Sequence, residues 1–257
     1  MSCIILILVT NIILVNQMTC FDKIAGSIYN TIAMKITTFQ SSQDLISYAS
    51  SILNLSYLQK ESINIAISGG KTPFSMFEYW KTNQTIDYTK TKVWQVDERY
   101  IEQSSDLSNA GKTIRLFDDD NFKDNFEKVN TDLPYGECIS DYDDRLKLVV
   151  NEESNLDIVF LGFGTDGHFG SIFPGDDTKY GEQLAIGTLA IDPYPVEKRI
   201  TMTPRCINLA EKIVAILVGA EKQMVLTEFL DGSLINSQFP CKIWKDHPNL
   251  EVLICFQ

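Results

Sequence analysis

Histidine is almost absent from this sequence, which has 257 residues and only two histidines, His168 and His247. The six cysteines are scattered, and no two of them stand in the CxxC spacing that is typical of zinc and redox sites. A structural zinc site needs about four His or Cys ligands close together. The sequence therefore predicts no metal site, and it predicts free, mostly buried thiols.

Basic runs are also absent, and the formal net charge is -12, with 22 Lys and Arg against 34 Asp and Glu. Nucleic-acid binding needs a basic face, so this composition argues against a nucleic-acid partner. A protein of this charge can bind an anion only by gathering a few cations in a cleft. Any phosphate site must therefore be built from individual lysines and arginines.

The chain has no internal repeat, no low-complexity tract and no linker rich in Pro, Gly or Ser. Apolar residues recur with a helical period over 42–58, and 63–67 is a short β-branched run typical of a buried strand. Further apolar runs at 92–96, 158–161 and 213–218 alternate with predicted helices. We therefore expect α/β structure in a single domain, a mostly parallel Rossmann-like open sheet with helices on both faces.

Residues 1–33 form an apolar N-terminal extension. Its apolar part is short for a transmembrane helix, which needs about 18 residues, and it lacks the Lys or Arg that precedes a signal-peptide core. Met34 begins a natural first strand. We predict that 1–33 is a signal, an anchor or a non-native start outside the fold, and that 34–257 is the folded domain. A cytoplasmic location is expected, with a secretory location or membrane contact only if the extension directs it.

A glycine-rich turn follows the predicted strand at 63–67, and its residues are Ser68, Gly69, Gly70, Lys71 and Thr72. Pro73 then suits the first turn of a helix. A strand, a glycine turn and a helix N-terminus present backbone N–H groups to an anion, and Lys71 adds a positive charge. An ordinary strand–helix turn has similar glycines, so the motif alone leaves both interpretations open.

Three charged residues, Asp97, Glu98 and Arg99, follow the predicted strand at 92–96. Open α/β sheets bind ligands at the carboxyl ends of their strands, and this triplet lies at such an end. A solvated loop is the alternative. Ser108 then predicts the start of a helix over 108–117.

The stretch 157–175, DIVFLGFGTDGHFGSIFPG, combines a predicted buried strand with a glycine-rich turn. Asp166 and His168 lie in that turn, where a titratable imidazole is well placed for chemistry. A histidine with no task at the start of a helix is the alternative. The GxGxxG spacing also resembles a dinucleotide signature. However, Pro174 and Gly175 should end the predicted helix after about two turns, too early for that motif.

Five segments occur in this order: SGGKTP at 68–73, VDERY at 96–100, LGFGTDGHFGSIFPG at 161–175, RITMT at 199–203 and VGAEK at 218–222. As a set they resemble the 6-phosphogluconolactonase family, within the wider group of glucosamine-6-phosphate isomerases and deaminases. The likeness runs from about Met34 to the C-terminus. The DER triplet and the SIFPG ending favour the lactonase branch over the deaminases. The chain departs from the family at Lys71, at 169–170 and in its N-terminal extension.

This resemblance implies an enzyme that hydrolyses 6-phosphoglucono-δ-lactone to 6-phosphogluconate in the pentose phosphate pathway, with neither a metal nor a cofactor. It implies His168 as the general base that activates water. Asp166 or Asp97 would orient the imidazole, and the sequence leaves that choice open. Arg99 is a candidate for binding the oxyanion or the phosphate. The implied phosphate anchors are Ser68, Gly69, Gly70, Lys71, Thr72, Arg199 and Lys222.

Two other functions stay open at this point. One is an isomerase or deaminase acting on an amino-sugar phosphate, and the other is a non-catalytic sugar-phosphate-binding protein on the same scaffold. The expected partner is a phosphorylated sugar lactone as substrate, with possible coupling or fusion to a glucose-6-phosphate dehydrogenase. His247, which precedes Pro248 in a predicted turn, is expected to be structural or at the surface.

Overall fold

The computed structural model describes residues 34–176, 181–190 and 193–257, together with the backbone of two strands nearer the N-terminus. The described strands are β1 (Cys3–Val9), β2 (Ile12–Met18), β3 (Met34–Thr38), β4 (Ile63–Ile67), β5 (Thr91–Gln95), β6 (Asp97–Arg99), β7 (Phe126–Glu127), β8 (Ile158–Gly162), β9 (Ala185–Leu189), β10 (Lys198–Met202), β11 (Lys212–Val218) and β12 (Leu250–Cys255). The described α-helices are α1 (Ser42–Tyr57), α2 (Lys71–Asn83), α3 (Asn109–Phe117), α4 (Asp120–Asn125), α5 (Tyr135–Lys147), α6 (Pro204–Asn208) and α7 (Lys222–Asp231). A 3-10 helix spans Pro240–Trp244.

The large sheet has nine strands in the order β1-β2-β3-β12-β11-β8-β4-β5-β7. The seven strands β3, β12, β11, β8, β4, β5 and β7 pair parallel to their neighbours in this order. At the other edge, β2 pairs antiparallel with β3, and β1 pairs antiparallel with β2. A second sheet of three antiparallel strands has the order β6-β10-β9. The predicted α/β class and mostly parallel open sheet are confirmed.

Two hydrophobic cores cover opposite faces of the large sheet. In β8, Ile158 and Phe160 belong to one core and Val159 and Leu161 to the other, because successive strand side chains point to opposite faces. The core that contains Ile158 and Phe160 also includes residues of α1 and α2. The core that contains Val159 and Leu161 includes residues of α5 and α7. The predicted helices on both faces are therefore confirmed.

The backbone near the N-terminus adds two strands to the edge of the large sheet. β2 pairs with β3, and β1 pairs with β2. The division of the chain between 1–33 and 34–257, and the role of the first part, stay predictions. In the described part of the chain, no helix has both the length and the apolar character that crossing a membrane requires.

Four of the cysteines are free and buried, as the scattered spacing predicts, namely Cys138, Cys206, Cys241 and Cys255. Burial raises the pKa of Cys206 to about 12 and that of Cys138 to about 11. A thiol that stays protonated at neutral pH is a poor nucleophile and a poor metal ligand. Cys206 and Cys138 therefore serve as small apolar core residues.

Glu251 of β12 joins three neighbouring strands at the amino end of the sheet. It is 2% exposed, and its carboxylate lies 2.8 Å from Nζ of Lys35 in β3 and 2.9 Å from Nζ of Lys212 in β11. The hydroxyl of Tyr48 donates a third hydrogen bond, at 2.7 Å. Burial acts to raise the pKa of Glu251, but the hydrogen bonds from these three partners outweigh it and lower the pKa.

We predict that Glu251→Gln lowers the free energy of unfolding at neutral pH by roughly 1–3 kcal/mol, because two ammonium groups lose a charged acceptor. A carboxylate whose pKa is lower in the folded state contributes stability above its unfolded pKa and loses that contribution as pH falls through the folded pKa. The advantage of the wild type should therefore shrink below about pH 4.

Urea denaturation at several pH values measures this difference. Glu61→Gln, at an exposed position, is the matched control and should leave the pH dependence of stability as it is in the wild type. The same pH dependence in Glu251→Gln and in the wild type would contradict the prediction.

Candidate active site

A cavity of about 660 Å³ lies at the carboxyl ends of the parallel strands. The predicted site residues that line it are Ser68, Gly69, Gly70, Lys71, Thr72, Asp97, Arg99, His168, Arg199 and Lys222. The remaining predicted residue, Asp166, contacts His168. Parallel pairing brings the carboxyl ends of strands to one edge of a sheet, so segments far apart in sequence meet there.

The turn after β4 places the amino end of α2 on the cavity wall. Gly70, the residue before α2, has a φ of 110°, a conformation that favours glycine. A Cβ at Gly69 would lie 2.3 Å from Nδ2 of Asn109, so a larger residue here would have to displace that side chain. No side chain among the described residues caps α2, which leaves N–H groups of its first turn available to an anion. The backbone N–H of Gly162 donates to Oγ of Ser68 at 3.0 Å and so joins the ends of β8 and β4.

The fully buried carboxylate of Glu98 organises the segment around β6. It accepts hydrogen bonds from the backbone N–H groups of Asn109 (2.8 Å) and Ala110 (2.6 Å) at the amino end of α3. It also accepts from the backbone N–H of Arg99 (2.7 Å) and from the hydroxyl of Ser108 (3.1 Å). Burial raises the pKa of Glu98, although these hydrogen bonds act in the opposite direction. Glu98 thus ties α3 to β6 and holds its two chain neighbours at the cavity.

His168 is held by Asp166, two residues earlier in the chain. Oδ1 of Asp166 lies 2.6 Å from Nδ1 of His168, and it accepts from the backbone N–H of His168 at 3.1 Å. Burial acts to raise the pKa of Asp166, but the hydrogen bonds and charge of His168 outweigh it and lower the pKa. Gly164 permits this arrangement, because a Cβ there would lie 2.0 Å from Nδ1. With Nδ1 engaged, Nε2 is the ring nitrogen left to act on a water.

Asp97 has a different partner. Its Oδ2 accepts a hydrogen bond of 2.7 Å from the hydroxyl of Ser171, and its backbone carbonyl accepts one of 3.2 Å from the side chain of Asn109. The side chain of Asp97 is buried but still lines the cavity. Of the two carboxylates that the sequence offered as supports for His168, the geometry favours Asp166.

The chain after β8 follows a course that the sequence did not predict. The expected two-turn helix ending at Pro174 and Gly175 is wrong, since the described residues 163–176 form turns and two isolated bridges but no helix. Gly167 and Gly170 have φ angles of 82° and 51°, which a right-handed helix cannot accommodate. Without that helix, the GxGxxG spacing also lacks the structural context of a dinucleotide signature.

Two arginines stand opposite each other in the small sheet. Arg99 of β6 pairs with Arg199 of β10. The pKa of Arg199 is lowered, mainly by burial and secondly by the nearby positive charge of Arg99. Nε of Arg199 donates to the carbonyl of Val196 at 2.7 Å, whereas Nε of Arg99 is buried with no partner among the described residues. Like charges directly opposite in an antiparallel pair are destabilising. An anion bound beside both would relieve this repulsion.

Lys222, the first residue of α7, adds a third cation. Its Nζ donates to the carbonyl of Phe163 at 2.7 Å, which holds it against the turn that contains His168. Burial lowers the pKa of Lys222. With Lys71 on the same cavity wall, the chain gathers at one place the local cations that its negative net charge requires of a phosphate site.

The structure adds side chains that the sequence motifs did not single out. Ser171 and Phe173 belong to the stretch 157–175, so their position in that motif was an available signal. Asn109 directly follows the predicted helix cap. The hydroxyl of Tyr194 lies 3.2 Å from Nδ1 of His168. Tyr194 belongs to a segment with no motif, so no sequence signal could have found it.

The second histidine, His247, has no part in this site. It is buried, its Nε2 lies 3.2 Å from the carbonyl of Ala210, and its Nδ1 accepts from the backbone N–H of Asn249 at 3.2 Å. Burial lowers the pKa of His247. These contacts support the interpretation of His247 as structural.

Comparisons with a family model and with individual known proteins point to the same family. Residues 37–253 match the family model described as glucosamine-6-phosphate isomerases/6-phosphogluconolactonase. A relative from Dictyostelium discoideum named probable 6-phosphogluconolactonase is 29% identical over 202 residues, which cover 77% of this chain and 86% of the relative. A Plasmodium falciparum relative named bifunctional glucose-6-phosphate 1-dehydrogenase/6-phosphogluconolactonase is 32% identical over 114 residues, 43% of this chain and 12% of that protein.

A solved structure also shares the fold. The structure of 6-phosphogluconolactonase from Trypanosoma brucei is 21% identical and aligns with a TM-score of 0.74. The alignment covers 85% of this chain and 95% of that one. At this identity the likeness shows the fold alone.

We predict that the neutral imidazole of His168 bears its proton on Nδ1, because Asp166 accepts a hydrogen bond there. In Asp166→Asn the amide group can donate to Nδ1, which favours the form protonated on Nε2. Two-bond nitrogen–proton correlations of the ring measure the tautomer directly. His247 is the only other histidine and gives a reference signal that should not change. An Nδ1-protonated His168 in both proteins would contradict the prediction.

Proposed function

The chain belongs to the family of glucosamine-6-phosphate isomerases and 6-phosphogluconolactonases, and we propose that it hydrolyses 6-phosphoglucono-δ-lactone to 6-phosphogluconate. The main support is that an imidazole held by a carboxylate lines the same cavity as two arginines and two lysines. A lactone is an activated ester. Its hydrolysis needs a general base, a stabiliser for the oxyanion and an anchor for the phosphate.

His168 acts as the general base. Its Nε2 removes a proton from a water molecule while the water oxygen forms a bond to the carbonyl carbon of the lactone. The tetrahedral intermediate then breaks its bond to the ring oxygen, which receives the proton from Nε2. The new carboxylic acid releases one proton to solvent. Asp166 stays ionised, in keeping with its lowered pKa, and stabilises the imidazolium through Nδ1.

The cations of the cavity bind the negative groups. Arg199, Lys222 and the turn at 68–72 anchor the phosphate, with N–H groups of the first turn of α2 pointing to the anion. Arg99 stands opposite Arg199, which places it to bind the same phosphate or the oxyanion. Asp97, buried and hydrogen-bonded to Ser171, is left to accept a hydrogen bond from a sugar hydroxyl.

The substrate of this reaction must come from oxidation of a phosphorylated sugar. The Plasmodium falciparum relative combines, by its name, a glucose-6-phosphate 1-dehydrogenase with a lactonase. We propose that this chain acts on the product of such a dehydrogenase, as a separate protein or as its fused partner. Adding the chain to a running dehydrogenase reaction should then shorten the lifetime of the lactone intermediate.

We predict that His168→Ala lowers kcat/KM for lactone hydrolysis by about 10²–10⁴-fold, the usual effect of losing a general base. The measurement is the release of acid from the lactone at neutral pH, corrected for spontaneous hydrolysis. Asp231→Asn, at an exposed position of α7, is the control and should retain wild-type activity. Full activity of His168→Ala would overturn the assignment, and ammonia release from glucosamine 6-phosphate by the wild type would favour the deaminase branch.

We predict that Lys222→Ala raises KM for the phosphorylated lactone by roughly tenfold, since it removes one charged hydrogen bond to the phosphate. The KM for the unphosphorylated lactone should change by less than about twofold. Lys123→Ala, at an exposed lysine of α4, is the matched control and should alter neither value. Equal rises in KM for both lactones would show that Lys222 has a role other than phosphate binding.

A further inference from the structure

The imidazole of His168 lies against two aromatic rings that have no role in the proposed mechanism. The ring of Phe173 is 5.1 Å away, between centroids, at an interplanar angle of 36°. The ring of Tyr194 is 5.3 Å away and nearly perpendicular, at 80°. The rings of Phe173 and Tyr194 are themselves 5.0 Å apart. Edge-to-face and tilted contacts at these distances are favourable, so the two rings restrict how the imidazole can turn.

The hydroxyl of Tyr194 lies beside both members of the His168–Asp166 pair. It is 3.2 Å from Nδ1 of His168, and the negative charge of Asp166 is close enough to raise the pKa of Tyr194. A histidine that acts through Nε2 has its proton on Nδ1, and that proton goes to Asp166, the closer acceptor at 2.6 Å. Nδ1 then cannot accept the tyrosine proton. The acceptor left for the hydroxyl proton of Tyr194 beside this nitrogen is the Asp166 carboxylate, whose Oδ1 lies 2.6 Å from the same Nδ1.

The surroundings keep Tyr194 in the form that can donate. Burial and the negative charge of Asp166 raise the pKa of Tyr194, while the positive charge of Arg199 acts in the opposite direction. The phenol is consequently protonated at neutral pH. Asp166 already accepts two hydrogen bonds from His168, and a third donor from another segment of the chain would leave its carboxylate less freedom to rotate.

We propose that Tyr194 is a positioning residue for the His168–Asp166 pair: its hydroxyl fixes the Asp166 carboxylate, and its ring fixes the imidazole so that Nε2 is presented to the cavity. Tyr194 reaches the pair from the segment between β9 and β10, whereas Phe173 belongs to the same turn as His168. Tyr194 therefore joins the base to the small sheet that bears Arg199. This link sets the distance between the base and the cations that bind the substrate.

The kinetic test rests on the proposed lactonase activity and compares Tyr194→Phe with Tyr57→Phe. Phenylalanine keeps the ring and removes only the hydroxyl, so Tyr194→Phe should fold as the wild type does. Tyr57 is a matched control, because it is partly buried and its hydroxyl lies 2.7 Å from Oγ1 of Thr91 at the amino end of β5, outside the residues that line the cavity. We expect kcat of Tyr194→Phe to fall roughly tenfold, as for one hydrogen bond that matters in the transition state.

The KM should stay within about twofold of the wild-type value, because Tyr194 is not assigned to binding the substrate. Tyr57→Phe should leave both constants unchanged. An unchanged kcat per folded molecule in Tyr194→Phe would overturn the inference, as would a rise in KM with kcat preserved.

A second measurement does not depend on any activity. The short hydrogen bond between Asp166 and Nδ1 of His168 should give a far-downfield proton resonance in the wild type. We expect this resonance to move upfield or broaden in Tyr194→Phe and to persist in Tyr57→Phe. An unchanged resonance in Tyr194→Phe would overturn the inference even if the wild type is a lactonase. A wild type without lactonase activity would instead refute the proposed function and leave this measurement as the test of the inference.

Discussion

Parallel pairing of seven strands is the constraint on which the site depends. Because β4, β8 and β11 run in the same direction, each delivers the segment after it to one edge of the sheet. The glycine turn, the histidine turn and the amino end of α7 meet there for that reason. Two buried hydrogen-bond systems then fix the details, one from Gly162 to Ser68 and one around the carboxylate of Glu98.

The charged side chains are paired differently at the two ends of the large sheet. At the amino end, Glu251 is satisfied by Lys35 and Lys212, and that cluster only stabilises the fold. At the carboxyl end, Arg99 and Arg199 face each other, and Lys222 donates to a backbone carbonyl and not to a carboxylate. The first arrangement pairs its charges directly, whereas the second leaves two opposed arginines and a lysine without a direct carboxylate partner among the described contacts.

The sequence predicted the fold class, the glycine turn at 68–72 and the charged residues after 96 from strand ends and turns, which are local features. Arg199 and Lys222 were expected only from the resemblance to a family. The sequence failed for the helix after Gly167, since the positive φ angles of Gly167 and Gly170 are imposed by packing that no local pattern encodes. It could not tell whether Asp97 or Asp166 supports His168. That depends on tertiary contacts, such as the hydrogen bond that the hydroxyl of Ser171 donates to Asp97. Tyr194 could not be predicted, since it lies 26 positions after His168 in a segment that bears no motif.

The opposed pair of Arg99 and Arg199 bears on the stability of the protein as well as on the cavity. Replacing Arg99 or Arg199 by a neutral side chain would remove a repulsion from the unliganded protein, and such changes at functional sites commonly stabilise a fold while weakening its function. An anion bound beside both side chains should therefore stabilise the folded protein, because it offsets their mutual repulsion.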